Sequence, residues 1–289
     1  MIPVFLTRVK THDSIVLDGI VVEPRKKSDA ALIWIHGLAS RFSSGQDLIK
    51  ELSSACRTRG IAYFKFNTRG HDVVNRDLPK KKALQGAAFE KFEECVPDIR
   101  AMISFARKRG YKKIVLAGHS TGANKVAYYL HKTKDPAVKA LMLLGPVNDI
   151  SAGRKKFGAA GLRAGVALAK KLGRKNPNAL MPEKYGIISA RRFVSMYESG
   201  HAEDTFPYLD PRAQWKGLKG IRVPIAVIFG ERDEYLDRPA HKLIDTLRIH
   251  APLAKSFSGV IIRNADHGFK SKEKELTDAI IRFIKRGVV

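Results

Sequence analysis

Residues 118–122, Gly-His-Ser-Thr-Gly, place a serine hydroxyl between two glycines. The apolar run 113–117 precedes them, and a helical pattern begins at Ala123. This is the G-x-S-x-G pattern of a nucleophile elbow, a sharp strand-to-helix turn that exposes the serine Oγ. Glycine is needed on both sides because a strained turn between strand and helix leaves no room for Cβ atoms. The pattern predicts Ser120 as a catalytic nucleophile.

A serine hydroxyl needs a base within hydrogen-bond distance, and the base needs a carboxylate that holds it in the correct tautomer. His267 fits the base, since Asn264-Ala-Asp-His-Gly-Phe269 lies between the last predicted strand and the last predicted helix. The other eight histidines lie beside motif glycines, in surface-like or helical contexts, in the middle segment or after a different strand (His12, His36, His71, His119, His131, His201, His241 and His250).

Asp233 is the predicted acid, because it follows a late strand in Phe-Gly-Glu-Arg-Asp-Glu-Tyr, residues 229–235. Glu231 and Glu234 remain alternatives by a small shift in register. Asp149, which follows the preceding strand, is a further alternative. A purely structural interpretation of Asp233 is that it caps the predicted helix 237–249.

Attack by a serine creates an oxyanion that preorganised N–H groups must stabilise. One predicted donor is the amide of Thr121, which also opens a helix whose dipole favours negative charge. The second is the amide of Leu38, in the His36-Gly37-Leu38 loop that follows an apolar strand. Gly37 would let that backbone turn inward.

Another turn, residues 67–72 (Asn-Thr-Arg-Gly-His-Asp), is predicted at the same edge of the sheet. Arg69 and His71 are candidates to contact a substrate carboxylate. The structural alternative is that the Arg-Gly turn pins neighbouring loops, which is the more common role of such a turn.

Apolar runs alternate with helical periodicity along the whole chain, which predicts a mostly parallel sheet wrapped by helices. Eight strands and five helices follow from the pattern. The strands are 4–9, 15–22, 30–35, 61–66, 113–117, 138–144, 223–229 and 259–263, and the first two are expected to be antiparallel. The helices are 45–59, 93–109, one that begins at 123, 237–249 and 271–286.

About 75 residues separate the sixth and seventh strands, far more than a plain strand-to-helix connection needs. Residues 150–218 are therefore predicted to form a mostly helical cap or lid insertion. An apolar face is predicted on its first helix (Phe157, Ala160, Gly161, Ala164, Leu168 and Leu172). Residues 150–192 hold eleven Lys and Arg against one acid, Glu183. We expect either an ordinary cap or a basic surface that makes weak contact with anionic substrates or an anionic membrane.

The chain of 289 residues carries 53 Lys and Arg against 28 Asp and Glu, a net charge of +25. Such a charge favours anionic partners. The basic residues are scattered and do not alternate with aromatics, however, so we expect a solvated basic surface and no specific nucleic-acid partner.

No apolar stretch reaches the length of a membrane span, no signal peptide is evident, and Cys56 and Cys95 are too few for a disulfide framework. These features predict a cytoplasmic protein.

Together the elbow, Asp233 and His267 resemble the α/β-hydrolase superfamily, with a core of residues 1–149 and 219–289. Residues 66–72, 89–99 and 118–129 look like the DUF1749-type branch, which includes esterases that open siderophore ester bonds. The resemblance implies an α/β-hydrolase fold and a serine hydrolase that cleaves a small carboxylic ester without metal or cofactor. Alternatives are a cap-gated lipid esterase, a thioesterase, or a non-catalytic basic binding protein on the same scaffold.

Overall fold

A computed structural model describes residues 2–76, 84–210, 212–213 and 215–287. Eight strands of the described chain form one sheet in the order β1-β2-β4-β3-β5-β6-β7-β8. Their bounds are β1 Phe5–Lys10, β2 Val16–Val22, β3 Ala30–Ile35, β4 Ile61–Phe66, β5 Lys113–His119, β6 Val138–Leu144, β7 Ile225–Gly230 and β8 Phe257–Ile262. β1 and β2 pair antiparallel, as does β2 with β4, and every later pair is parallel. The predicted sheet is confirmed.

Helices cover both faces of this sheet, and further helices lie in the segment between β6 and β7. The α-helices of the described chain are α1 Gln46–Thr58, α2 Cys95–Lys108, α3 Thr121–Thr133, α4 Asp149–Lys175, α5 Ala190–Tyr197, α6 Lys216–Lys219, α7 Ala240–Ile249 and α8 Glu273–Gly287. One apolar core lies under α2, α3 and α7, and the other lies under α1 and α8. Because both faces are covered, every residue of β3, β4 and β7 is buried. Burial on both faces is why these strands are continuous apolar runs in the sequence.

The segment between β6 and β7 contains α4, α5 and α6 and has a small apolar core of its own (Leu162, Ala169, Met181, Tyr185, Ile188, Ala190, Phe193 and Met196). Residues 211 and 214 of the predicted insertion lie outside the described residues. The predicted apolar face of α4 is confirmed in part: Phe157, Leu168 and Leu172 pack against this small core, whereas Ala160 and Ala164 are exposed. A break at Gly158 (φ 70°, ψ 159°) separates the two halves of the helix, so one helical periodicity does not run through both.

A buried group of charges joins this segment to the sheet core. Glu90 accepts hydrogen bonds from Lys125 Nζ (2.7 Å) and Arg192 Nη2 (3.1 Å). Arg192 also pairs with Glu203, and all four side chains are at most 2% exposed. Burial alone would raise the pKa of Glu90, but the two cations hold it below the ordinary glutamate value. Glu90 is therefore the anion that links α3 of the core to α5.

We predict that Glu90→Gln lowers the free energy of unfolding by about 3–5 kcal/mol, because it leaves buried cations without their counter-ion. Urea denaturation measures this loss. The matched control is Glu198→Gln, which removes a carboxylate that pairs with Lys170 and is 31% exposed. Partly exposed pairs contribute about 1 kcal/mol or less. Equal losses in the two variants would contradict a special role for the buried group.

Candidate active site

Ser120 lies between β5 and α3 in a backbone conformation that is rare for a residue with a Cβ atom (φ 58°, ψ −130°). Two hydrogen bonds hold it there. Its N–H donates to Leu144 O (2.8 Å), and its carbonyl accepts from the N–H of Ala123 (2.8 Å). Such strain persists only where the surroundings over-determine it, and it clusters at functional sites.

The two glycines of the motif are required by close backbone packing. A Cβ atom at Gly118 would lie 2.2 Å from Gly122 O, and a Cβ atom at Gly122 would lie 2.4 Å from Ile35 O. Both neighbours are backbone atoms that cannot rotate away. The start of α3 therefore approaches β3 and β5 as closely as the sequence pattern predicts.

His267 and Asp233 form a buried pair. Nδ1 of His267 donates to Oδ2 of Asp233 (2.8 Å), while the other oxygen, Oδ1, accepts from the N–H of Tyr235 (2.9 Å). Because the carboxylate only accepts, the Nδ1 atom carries a proton, and in the neutral imidazole this leaves the lone pair on Nε2. Nε2 is buried and has no hydrogen-bond partner among the described residues. Gly145 gives the pair room, since a Cβ atom there would lie 3.0 Å from His267 Cε1.

His119 ties the His267 loop to the elbow. Its Nε2–H donates to the carbonyl of His267 (2.8 Å), and the two imidazole rings lie 4.9 Å apart. Burial and the neighbouring His267 lower the pKa of His119 to about 4, so it is a neutral donor. The residue directly before Ser120 thus holds the backbone that carries the candidate base.

The alternative acids have other partners. Glu231 accepts from the N–H of Asn264 (2.8 Å), and Glu234 accepts from the N–H of His267 (3.0 Å). Both brace the loop that presents the imidazole. Asp149 is half-buried, and desolvation of its carboxyl together with Glu203 raises its pKa to about 8. Among the four candidates in the described chain, Asp233 is the one whose carboxylate contacts the imidazole.

The loop after β3 runs directly against the serine. A Cβ atom at Gly37 would lie 2.9 Å from Ser120 Cβ and 3.4 Å from its Oγ. The next residue, Leu38, is 39% exposed. Neither the Leu38 amide nor the Thr121 amide is a donor in the hydrogen bonds between elements of the described residues. The Leu38 N–H, on the loop directly after Gly37, and the Thr121 N–H, at the first residue of α3, therefore have no acceptor among these bonds.

His36 fixes the direction of the Leu38 amide. Its Nε2 accepts from the N–H of Thr68 (3.0 Å), so Nδ1 carries the proton and donates to Gly37 O (2.9 Å). The Gly37 carbonyl and the Leu38 N–H belong to one planar peptide and point in opposite directions. The hydrogen bond from His36 to the Gly37 carbonyl therefore also fixes the direction of the Leu38 N–H. Burial and Lys125 lower the pKa of His36 to about 3, which keeps it neutral.

Arg69 takes the structural role that the sequence left open. Its guanidinium and N–H bind both oxygens of Asp98, and the guanidinium also bonds Asp13 (2.8 and 3.1 Å). Arg69 and Asp98 are buried, so these bonds pin the turn onto α2. His71 lies beside Asp72, with 2.8 Å between Nδ1 and Oδ2.

Sequence reasoning missed Lys65 and the buried group around Glu90. Lys65 is a lysine inside the apolar strand Ile61–Phe66, and it is 5% exposed. A charged residue within an otherwise apolar run was the signal. The residues of the Glu90 group are too far apart in sequence to be paired from a single chain.

No group of three or more His, Cys, Asp or Glu side chains in the described residues is placed to hold a metal ion. Within the same residues, no helix has the length and apolar character that a membrane crossing requires. Cys56 and Cys95 are both free and buried.

Comparison with known protein families shows the family to which the chain belongs. Residues 86–286 match the family model described as "Protein of unknown function (DUF1749)". The chain belongs to the DUF1749 family. The matched range contains Ser120, Asp233 and His267. No curated protein matched the sequence.

Solved structures show the same fold at low sequence identity. The esterase Pf2001 of Pyrococcus furiosus superposes with a TM-score of 0.66 and 16% identity, over 100% of this chain and 92% of that one. Est1E of Butyrivibrio proteoclasticus, solved with ferulic acid bound, gives 0.65 and 18%, over 97% and 98%. The carboxylesterase CesB of Bacillus subtilis gives 0.58 and 17%, over 99% and 93%. The α/β-hydrolase fold of this DUF1749 member is confirmed.

The neutral state of His36 predicts a pH-dependent stability. Its pKa is about 3 in the folded chain and about 6.5 when unfolded, so unfolding takes up a proton between these values. This contribution is complete above pH 6.5 and is lost as pH falls, at about 1 kcal/mol per pH unit. Between pH 7 and pH 5, the wild type should lose about 1–2 kcal/mol more than His36→Gln in urea unfolding.

The control for this measurement is His241→Gln, which removes an exposed imidazole from α7 and keeps the wild-type pH slope. A His36→Gln slope equal to that of the wild type would mean that His36 binds protons in the folded chain as it does in the unfolded chain, and would contradict the lowered pKa.

Proposed function

We propose that this chain is a serine hydrolase that cleaves a carboxylic ester through an acyl-enzyme. The observation that carries the proposal is the buried His267–Asp233 pair, whose Nε2 atom is left without a partner. His119 ties this pair to the strained serine elbow. Structural neighbours named as esterases support the same chemistry.

In the first half of the reaction, Ser120 Oγ attacks the ester carbonyl while His267 Nε2 takes the hydroxyl proton. Asp233 stabilises the imidazolium that forms. The tetrahedral intermediate collapses, the bond to the alcohol oxygen breaks, and His267 gives its proton to the leaving alkoxide. Water then attacks the acyl-enzyme with the same base, which releases the acid and restores Ser120.

The oxyanion of the intermediate is assigned to the amides of Leu38 and Thr121. The Thr121 amide begins α3, a helix of 13 residues whose N-terminus favours negative charge. The Leu38 amide is aimed by the bond from His36 to Gly37 O. Loss of one such donor costs about 2.7–4 kcal/mol of transition-state stabilisation.

Residues 150–218 are proposed as the cap over this site. Contacts from α4 reach the loop that carries the acid: Lys155 Nζ donates to Glu234 O (2.9 Å), and Ser151 Oγ donates to Asp237 Oδ2 (3.4 Å). That loop follows β7 at the carboxyl edge of the sheet, where the elbow also lies. A segment anchored there is placed to select what reaches Ser120.

Ser120→Ala should abolish hydrolysis of short p-nitrophenyl esters, because no other hydroxyl takes the place of the nucleophile. We expect a loss of at least about 10³-fold in kcat, with an unchanged melting temperature. Labelling by a fluorophosphonate probe should disappear in the same variant. Labelling that persists in Ser120→Ala would place the nucleophile elsewhere. A wild type that is not labelled and that binds nucleic acid with a steep salt dependence would favour the non-catalytic alternative.

Asp233→Asn should lower kcat by about 10⁴-fold with a small effect on KM, since the amide favours the wrong tautomer of His267. Asp149→Asn is the matched control, because it changes a half-buried acid that does not bond the imidazole. It should retain kcat within about tenfold. The reverse ranking would assign the acid to residue 149.

A panel of esters with increasing acyl length, run beside thioesters and amides, then tests the bond class. A strong preference for long chains would indicate the lipid esterase.

A further inference from the structure

Lys65 is a buried cation for which the described residues supply no counter-ion. It lies one residue before the carboxyl end of β4, in register with Trp34 of β3, and is 5% exposed. Its Nζ donates one hydrogen bond, to the carbonyl of Ser44. No Asp or Glu of the described chain lies within ion-pair distance of it. An ammonium group has three donors, and buried charges are as a rule paired.

A cavity of about 310 Å³ opens beside Lys65. Its walls include Trp34, Tyr63, Gly37 and His119. The first turn of α1 forms a further wall, and that helix begins after Gly45 with no side chain capping its N–H groups. The helix N-terminus and the ammonium both create positive potential. Two positive groups therefore face one space.

The other charged groups around this cavity do not neutralise Lys65. Asp47 is exposed on α1, and Glu273 accepts from the N–H of Ser271 (3.1 Å). Lys270 adds a further cation at an exposed position. Burial lowers the pKa of Lys65 to about 8, so most of the ammonium is still charged at neutral pH.

The cavity borders the candidate active site. Gly37 and His119 line it, and these residues lie against Ser120 and directly before it. The centroid of the His119 ring is 6.5 Å from that of Trp34, which lines the cavity, and 4.9 Å from that of His267. A group held beside Lys65 is therefore one side chain away from the reacting atoms.

We propose that this cavity, the Lys65 pocket, binds a carboxylate carried by the ester substrate. The inference rests on the proposed function and names its substrate class: esters with one negative charge on a short chain in the acyl or the alcohol half. The carboxylate accepts hydrogen bonds from the free donors of Lys65 and from the first amides of α1. The net charge of +25 adds long-range attraction for such an anion.

Two matched substrate pairs test the proposal. The first is mono-4-methylumbelliferyl adipate against 4-methylumbelliferyl hexanoate, and the second is 4-butanoyloxybenzoate against 4-butanoyloxybenzamide. Lys65→Met should lower kcat/KM for the anionic member of one pair about 10- to 100-fold more than for its neutral partner. The pair that responds shows which half of the ester enters the pocket. Equal losses for both members of both pairs would overturn the proposal.

Two further variants separate charge from structure. Lys65→Gln keeps a donor for Ser44 O without the positive charge, and it should lose the same anion preference. Lys50→Met removes an exposed charge on α1 outside the cavity and should keep the wild-type ratio. A Lys50→Met variant with the same loss would assign the effect to net charge alone and refute the pocket.

A binding measurement is independent of turnover. Adipate should raise the melting temperature of Ser120→Ala, and the increase should vanish when Lys65→Met is added. If no ester is hydrolysed but this Lys65-dependent shift is observed, the pocket stands and the proposed function fails. If esters are hydrolysed but neither the shift nor the substrate ratio depends on Lys65, the pocket fails and the hydrolase remains.

Discussion

Close backbone packing at the serine elbow is the constraint on which the candidate site depends. The elbow glycines let α3 begin almost in contact with β3 and β5, where a single Cβ atom would lie 2.2–2.4 Å from backbone. That proximity forces Ser120 to a positive φ, and hydrogen bonds on both sides of the residue keep it there. Gly37 extends the same packing to the neighbouring loop. The position of the serine hydroxyl relative to the Leu38 amide is therefore set by backbone, which does not relax as side chains do.

Three histidines differ in the group that accepts their N–H, and this difference separates a structural role from a proposed catalytic one. His36 and His119 each donate to a backbone carbonyl, of Gly37 and His267, and burial keeps both neutral. A neutral imidazole of this kind orients a peptide but has no partner to stabilise a positive charge. His267 instead donates to the Asp233 carboxylate, which would stabilise the imidazolium. The two structural histidines thus position the groups with which the third would work.

Much of the fold could be predicted because buried parallel strands are continuous apolar runs. β3, β4 and β6 begin and end where the runs do. The candidate site residues were chosen by chain order, since each comes after a strand at one edge of the sheet. The face of α4 was only partly right, because the prediction carried one helical periodicity across the break at Gly158. The pairing of Glu90 with Arg192, 102 residues apart, requires three-dimensional structure.

The number of basic residues in a segment does not predict how much positive charge that segment exposes. The sequence places eleven basic residues in 150–192 and predicts a basic surface there, yet Arg192 is fully buried and is neutralised by Glu90 and Glu203. Lys65 belongs to no basic cluster in the sequence, but it is the buried cation left without an acid in the described chain. A surface charge is screened by solvent and salt, whereas a buried charge is screened much less, so a buried lysine acts more strongly on a bound anion than an exposed one. Position in the fold, rather than the sum of charges, decides where an anion is bound.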